Sequence, residues 1–223
     1  MKLGDFIVKI DLKDAYFSVP LSNRSKKYVR FQWEGSLYEF QCLMFGLGPA
    51  PRIFTKLLKI PISLLRRLHV KLIIYIDDIL IVASALKEAS LARDTTIYLL
   101  QNLGFIINFK KSVLDPTQTL EYLGITINSV TMTFSVPKEK IQKLEKLCKE
   151  TLEMKSVPLR KLESVIGNLI ARAPALTAAP LQVRFLQKCL NKQLQKARQN
   201  YESWITLAAC GFAMWYEREL WQT

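Results

Sequence analysis

Two rhythms of apolar and polar positions run along this chain, and they change over near residue 136. Before that point short apolar runs alternate with longer amphipathic stretches, the pattern of alternating strands and helices. FIVKIDL (6–12) is rich in β-branched residues and reads as a buried strand. YVRFQWEGSLYEFQCL (28–43) alternates on both sides of Glu34-Gly35 and reads as a hairpin. Pro49 and Pro51 precede a helical stretch, IFTKLLKIPISLLRRL (53–68), which Pro61 is expected to kink or divide. A further helix is expected over 86–103, ended by Gly104. FIINFKKS (105–112) and LEYLGITINS (120–129) are short strand candidates. After Val136-Pro137 the rhythm is helical, with Ile141, Leu144, Cys148 and Leu152 on one face. A second helix is expected over 158–173, stopped by Pro174, and a third over 180–199. The expected division is therefore 1–135, 136–200 and 201–223, the last an aromatic stretch that reads as the start of a truncated C-terminal region.

One apolar run breaks its own pattern. KLIIYIDDILIVAS (71–84) places Asp77 and Asp78 where burial is otherwise continuous. An ionised carboxylate taken out of water without a partner costs several kcal/mol or more. A tight hairpin resolves the conflict, with strands over 71–75 and 79–84 and Ile76-Asp77-Asp78 at or near the turn. At this point a plain turn with solvated aspartates serves as well, because Asp favours turns. A second segment adds weight: KIDLKDAYFSV (9–19) ends its strand in Asp11, followed by Asp14. If that strand lies beside the hairpin, Asp11 approaches Asp77 and Asp78, and three carboxylates at one point repel unless cations neutralise them. Oxygen ligands with no His or Cys suit Mg²⁺. Two such ions about 4 Å apart stabilise the attacking and leaving oxygens of an in-line phosphoryl displacement.

Charge points the same way. The 223 residues include 32 Lys plus Arg against 19 Asp plus Glu, a formal net charge of +13, which suits a polyanionic partner such as nucleic acid. The third C-terminal helix carries Arg184, Lys188, Lys192, Lys196 and Arg198 with no acid between them. That row is either a solvated face or a nucleic-acid-facing surface. The four cysteines are scattered without metal-site spacing, and His69 is the only histidine, which removes zinc sites with several His ligands. The start lacks the apolar core of a signal peptide and no uncharged run is long enough to span a bilayer. An intracellular protein, in cytoplasm or nucleus, is expected, with no membrane partner.

These motifs resemble the palm and thumb of a reverse transcriptase, closest to the tyrosine-recombinase (DIRS-type) retrotransposon group. KIDLKDAYFSVPL resembles the first palm motif, LMFGLGPAPRIF the second, YIDD the third, LGFIINFKKS the fourth and LEYLGI the fifth, in the family's order. The resemblance implies an α+β fold: a small antiparallel sheet backed by helices, then a mostly helical thumb, with the fingers largely absent. It implies Asp11, Asp77 and Asp78 as metal-binding carboxylates for two Mg²⁺ ions (Mn²⁺ as an alternative), with Asp11 and Asp78 the main ligands and the Leu12 carbonyl assisting. Asp14, Ala15 and Tyr16 would face the incoming deoxynucleoside triphosphate, the Tyr16 ring lying beneath its sugar and rejecting a 2′-hydroxyl. Phe45 and Gly46 would pack against nucleotide and template. Lys111, or its neighbour Lys110, would protonate the leaving pyrophosphate. Leu123 and Gly124 would grip the primer end, and Arg184, Lys188, Lys192 and Lys196 would hold the RNA or DNA template-primer duplex.

The sequence departs from the family pattern at Met44, where proline is usual, and at Gly48-Pro49, where a small polar pair is usual. Asp11 stands almost at the start of the chain, so a fragment of a larger polyprotein is expected. Two functions from different classes follow. One is RNA-directed DNA polymerisation on a primer 3′ end. The other is a catalytically inactive remnant that only binds nucleic acid, derived from a polyprotein that also carries ribonuclease H. A palm-fold nucleotidyl cyclase is weaker, since the glycine-acid turns of those enzymes are missing.

Overall fold

The computed structural model describes residues 1–172, 175, 179–196 and 202–206. It is an α+β chain that divides into two compact units, one of Met1–Tyr122 with Ile127–Thr133, the other of Leu123–Thr126 with the residues from Phe134 onward.

In the first unit the buried strand read from FIVKIDL is β1 (Phe6–Lys13). A one-turn 3₁₀ helix (Ala15–Ser18) follows, then the short helix α1 (Asn23–Lys26). The predicted hairpin is β2 (Arg30–Trp33) with β3 (Ser36–Glu39), turning at Glu34-Gly35, both at positive φ. The expected helix is α2 (Ala50–Arg67), with Pro49 as its cap and Pro51 in its first turn, where a missing N–H costs nothing. Pro61 does not divide it. Its ring is buried, and Leu57, whose carbonyl loses its donor, is exposed, so apolar burial offsets the lost hydrogen bond.

The opening puzzle is resolved as a hairpin of β4 (Leu72–Tyr75) and β5 (Asp78–Ala83). The next helix, α3 (Leu86–Asn102), ends where Gly104 takes φ +86. The 105–112 candidate shrinks to β6 (Ile106–Ile107). A strand that the pattern did not suggest, β7 (Val113–Thr117), follows it despite Pro116. The 120–129 candidate is a second hairpin, β8 (Thr119–Tyr122) and β9 (Ile125–Asn128). The strand β10 (Thr133–Ser135) then completes a sheet of order β10-β9-β8.

The principal sheet has the order β4-β5-β1-β6, with β7 also pairing with β1. Alternation along β1 splits its side chains between two faces. Val8, Ile10 and Leu12, with Ile79 and Ile81 of β5, pack on Phe54, Leu58 and Leu65 of α2 and Leu100 of α3. Ile7, with Leu80 and Val82, packs on Leu120, Tyr122 and Ile127. The acids at the ends of β1 and β5 follow the second face, away from the helices.

The second unit holds α4 (Lys138–Leu152), the strand β11 (Ser156–Pro158), α5 (Leu159–Ile170), α6 (Ala179–Lys196) and the strand β12 (Trp204–Thr206) paired with β11. Its core joins Leu144 and Cys148 of α4 to Leu162, Val165 and Leu169 of α5 and Val183, Leu186 and Leu190 of α6. The two short strands were not expected. Of the expected C-terminal segment 201–223, all but 202–206 lies outside the described residues, as do Arg198 and Pro174. Among the described residues no helix is long and apolar enough to cross a membrane.

Candidate active site

Strand register brings the acids together. Asp11 of β1 lies directly across from Asp78 of β5. The Leu12 N–H donates to the Asp77 carbonyl at 3.0 Å, so Asp11 and Asp78 form a pair without mutual backbone bonds. Such pairs have Cα atoms about 4.5 Å apart and side chains on the same face. The other edge of Asp11 is tied down as well. Its N–H donates to Ser112 Oγ at 3.0 Å, its carbonyl accepts from the Asn108 N–H at 2.8 Å, and Ser112 Oγ donates to the Asn108 carbonyl at 2.8 Å.

Asp78 starts β5 immediately after the two-residue turn Ile76-Asp77, closed by the pair Tyr75↔Asp78. Ile76 has φ 56, the φ pattern of a type II′ turn whose first central position favours Gly. A β-branched residue there is strained, and the flanking strand pairs hold it in place.

Asp77 is half-buried. Burial pushes its carboxyl up from the ordinary carboxylate range, and the charges of Asp78 and Asp11 push the same way, while its own backbone N–H and Lys111 pull it down. A carboxyl raised in the folded state destabilises the fold once pH exceeds the unfolded value, and that penalty is complete above the folded pKa. Asp77→Asn is therefore expected to raise the melting temperature at pH 7 and to leave it nearly unchanged near pH 3. Calorimetry at the two pH values checks this, and a fall at pH 7 would refute it.

The Leu12 carbonyl lies on the same edge of β1 as the Leu12 N–H that bonds the Asp77 carbonyl, so it points towards the turn. Lys9 and Tyr122 also reach Asp78. Lys9 Nζ stands 3.2 Å from Asp78 Oδ1, an atom sealed from solvent that accepts no hydrogen bond, so the contact is an ion pair without hydrogen-bond alignment. The Tyr122 hydroxyl donates to the Asp78 carbonyl at 3.2 Å. Burial, then the charge of Asp78, pushes its phenol up to about 12. Lys111 is exposed in the turn after β6, close enough for its charge to act on Asp77.

The remaining first-unit residues form a shelf beside the acids. Asp14 is exposed at φ 51, and Phe17 N–H donates to its carbonyl at 2.9 Å. That is the first bond of the 3₁₀ turn, so the N–H groups of Ala15 and Tyr16 precede the ladder and are left to a ligand or water. Tyr16 is 8% exposed, its ring 5.5 Å from Phe54 and 5.0 Å from Phe45. Burial pushes its phenol up, with Asp77 and then Tyr75 adding to the effect. Tyr16 is thus a member of the core that also borders the acids. Phe45 is 58% exposed, and Gly46 takes φ +84 with open space where a Cβ would stand.

The other predicted residues belong to the second unit. Leu123 (φ 50) and Gly124 (φ 85) make the β8–β9 turn, and a Cβ at Gly124 would come within 3.0 Å of Lys140 Nζ. Along α6, Arg184, Lys188, Lys192 and Lys196 are all exposed, opposite the buried row Val183, Leu186, Leu190 and Leu194.

Among the described residues no three acidic, His or Cys side chains close on one metal-sized point; Asp11 and Asp78 face each other, and both stand close enough to Asp77 for their charges to act on its carboxyl. The two facing carboxylates include one buried oxygen, Asp78 Oδ1, that accepts no hydrogen bond and has the Lys9 ammonium 3.2 Å away. That donor set suits Mg²⁺, which is normally held by one or two carboxylates and completed by waters and substrate phosphates. The motifs had not singled out Lys9, Ser112 or Tyr122. Lys9 was readable, because two residues before Asp11 on a strand means the same face. Ser112 and Tyr122 reach the site only through tertiary folding.

A family model described as reverse transcriptase (RNA-dependent DNA polymerase) matches residues 1–127. The chain is 27% identical over 192 residues to the Gag-Pro-Pol polyprotein of bovine leukemia virus (isolate Australian), covering 80% of this chain and 13% of that one. It is 32% identical over 123 residues to a putative enzymatic polyprotein of cassava vein mosaic virus, covering 53% and 18%. Among solved structures, the foamy viral protease-reverse transcriptase in complex with RNA/DNA hybrid superposes with a TM-score of 0.70 at 17% identity, over 97% of this chain and 28% of that one. The same protein in complex with dsDNA gives 0.66 at 20% identity, over 96% and 41%. The chain therefore spans under a fifth of the length of these two polyproteins.

Proposed function

Since the chain belongs to the reverse transcriptase (RNA-dependent DNA polymerase) family, we propose that it is the RNA-directed DNA polymerase segment of a retroelement polyprotein, adding deoxynucleotides to a primer 3′ end. The observation that carries this reading is Asp11 facing Asp78 across paired strands, with Asp78 Oδ1 buried and without a hydrogen bond. Affiliation with the tyrosine-recombinase retrotransposons rests on the spelling of the motifs alone. An intracellular setting is supported by the free thiols of Cys42 and Cys148.

In this mechanism Asp11, Asp78 and the Leu12 carbonyl would hold Mg²⁺ or Mn²⁺, with Asp77 adding negative charge beside them. Bound there, divalent ions supply charge neutralisation at the α-phosphate and at the attacking and leaving oxygens. The Ala15 and Tyr16 N–H groups cradle phosphate oxygens. The Tyr16 ring limits the space beneath the sugar, and Phe45 and Gly46 give the nucleotide and template a surface to pack on. Lys111 carries the proton destined for pyrophosphate, a role typically worth about 10²–10⁴ in rate. Leu123-Gly124 steadies the primer end. The α6 row holds duplex phosphates, contacts that position without reading sequence.

Primer extension on an RNA template with deoxynucleotides and Mg²⁺, by this chain and by the longer polyprotein that carries it, tests the reading. Extension supports it. Duplex binding without extension by either protein would leave the inactive remnant as the function. The α6 assignment has its own measurement. Duplex affinity is expected to fall with salt at a log–log slope of roughly −0.9 per phosphate contacted in B-DNA. Changing Lys188, Lys192 and Lys196 together to Gln should make that slope shallower by about 2–3, and an unchanged slope would reduce the row to a solvated face.

A further inference from the structure

The ion pair at Asp78 has no part in the chemistry just described, yet it occupies the carboxylate on which that chemistry depends. Lys9 precedes Asp11 by two residues on β1, so both side chains stand on one sheet face. Its cross-strand partner is Leu80, which puts Asp78 on the diagonal, a separation that a long side chain spans. The reach is completed at 3.2 Å to Asp78 Oδ1, and both side chains are mostly shielded, at 18% and 22% exposure. Oδ1 has no other polar partner. Without Lys9, the other lysine of this strand pair, Lys13, would remain on the same face, two residues past Asp11 at the exposed end of β1. The same oxygen cannot hold an ammonium and a divalent ion at contact distance together.

We propose that Lys9 is a built-in counter-cation for Asp78: its ammonium holds the carboxylate in place in the metal-free protein and competes with the divalent ion for it. This rests on the reading of Asp11 and Asp78 as metal ligands. On ion binding the ammonium swings off Oδ1 along the exposed side of the face. Lys9 is thus a positioning residue that sets metal affinity downward in exchange for a preformed site.

The test uses the full chain and Mn²⁺ alone, with free Mn²⁺ followed by its electron paramagnetic resonance signal. Lys9→Gln should bind Mn²⁺ more tightly, roughly 3- to 30-fold, since a positive charge next to the ligand oxygen is gone. It should also melt at a lower temperature without metal. Lys9→Arg retains the charge and should stay within about threefold of the wild type. Asp78→Asn should lose the binding. Affinity in Lys9→Gln that is unchanged or weaker, with Asp78→Asn still losing it, overturns the proposal and leaves the metal reading standing. Binding that does not depend on Asp78 overturns both. Should Lys9→Gln fail to fold, the wild type decides: the ¹⁵Nζ resonance of Lys9 is expected to move on adding Mg²⁺, and a resonance that stays put overturns the proposal.

Discussion

Asp11→Asn and Asp78→Asn each lower primer extension by about 10³-fold or more, equivalent to roughly 4 kcal/mol or more of lost transition-state stabilisation. Asparagine keeps the shape of the side chain and removes the anionic oxygen, so the strands still pair and the hard cation loses one of its two protein carboxylates. The two variants should differ without metal. Asp78→Asn strands the Lys9 ammonium at a shielded position, and its melting temperature should fall. Asp11 anchors its neighbours through backbone atoms alone, so Asp11→Asn should melt close to the wild type. Single-turnover extension with a preformed template-primer, alongside calorimetry, measures both effects. Activity within tenfold of the wild type for either variant would remove that residue from the metal site.

Tyr16→Ala is the second large effect, and it has two parts. The ring is buried against Phe54 and Phe45, so deleting it should cost about 3–5 kcal/mol of stability, the usual range for a buried aromatic. The same deletion opens space beside the acids. Incorporation of ribonucleotides relative to deoxynucleotides should rise about tenfold or more, the ratio that corresponds to about 1.4 kcal/mol or more of steric rejection. Tyr16→Phe separates the parts: it retains the ring, and should retain both most of the stability and the sugar preference. The measurement belongs in the longer polyprotein, with competing nucleotides at fixed ratio. Loss of stability with discrimination unchanged would make Tyr16 a core residue and nothing more.

Local patterning made several elements legible. β1, the β4–β5 hairpin and α3 carry runs whose period, flanking Gly or turn residues agree with one another. The carboxylate pair followed from asking why acids end two buried strands. What was hidden depends on contacts distant in sequence. β7 contains Asp115 and Pro116, poor strand formers that are tolerated where β7 meets β1 through an irregular register. β11 and β12 are three residues each and exist through their pairing with one another. Pro61 leaves α2 undivided because its ring is buried in the folded unit, a compensation that the local sequence does not show.

The pairing Asp11↔Asp78 also has a consequence for how this protein comes into being. Its two halves are made far apart in time during synthesis, because nearly seventy residues separate them and a loop of that length must close before they meet. The β4–β5 hairpin closes over a two-residue turn, whereas the β1–β5 ladder requires closure of the whole intervening segment, α2 included. The carboxylate pair is thus a product of long-range chain closure and not of any local segment.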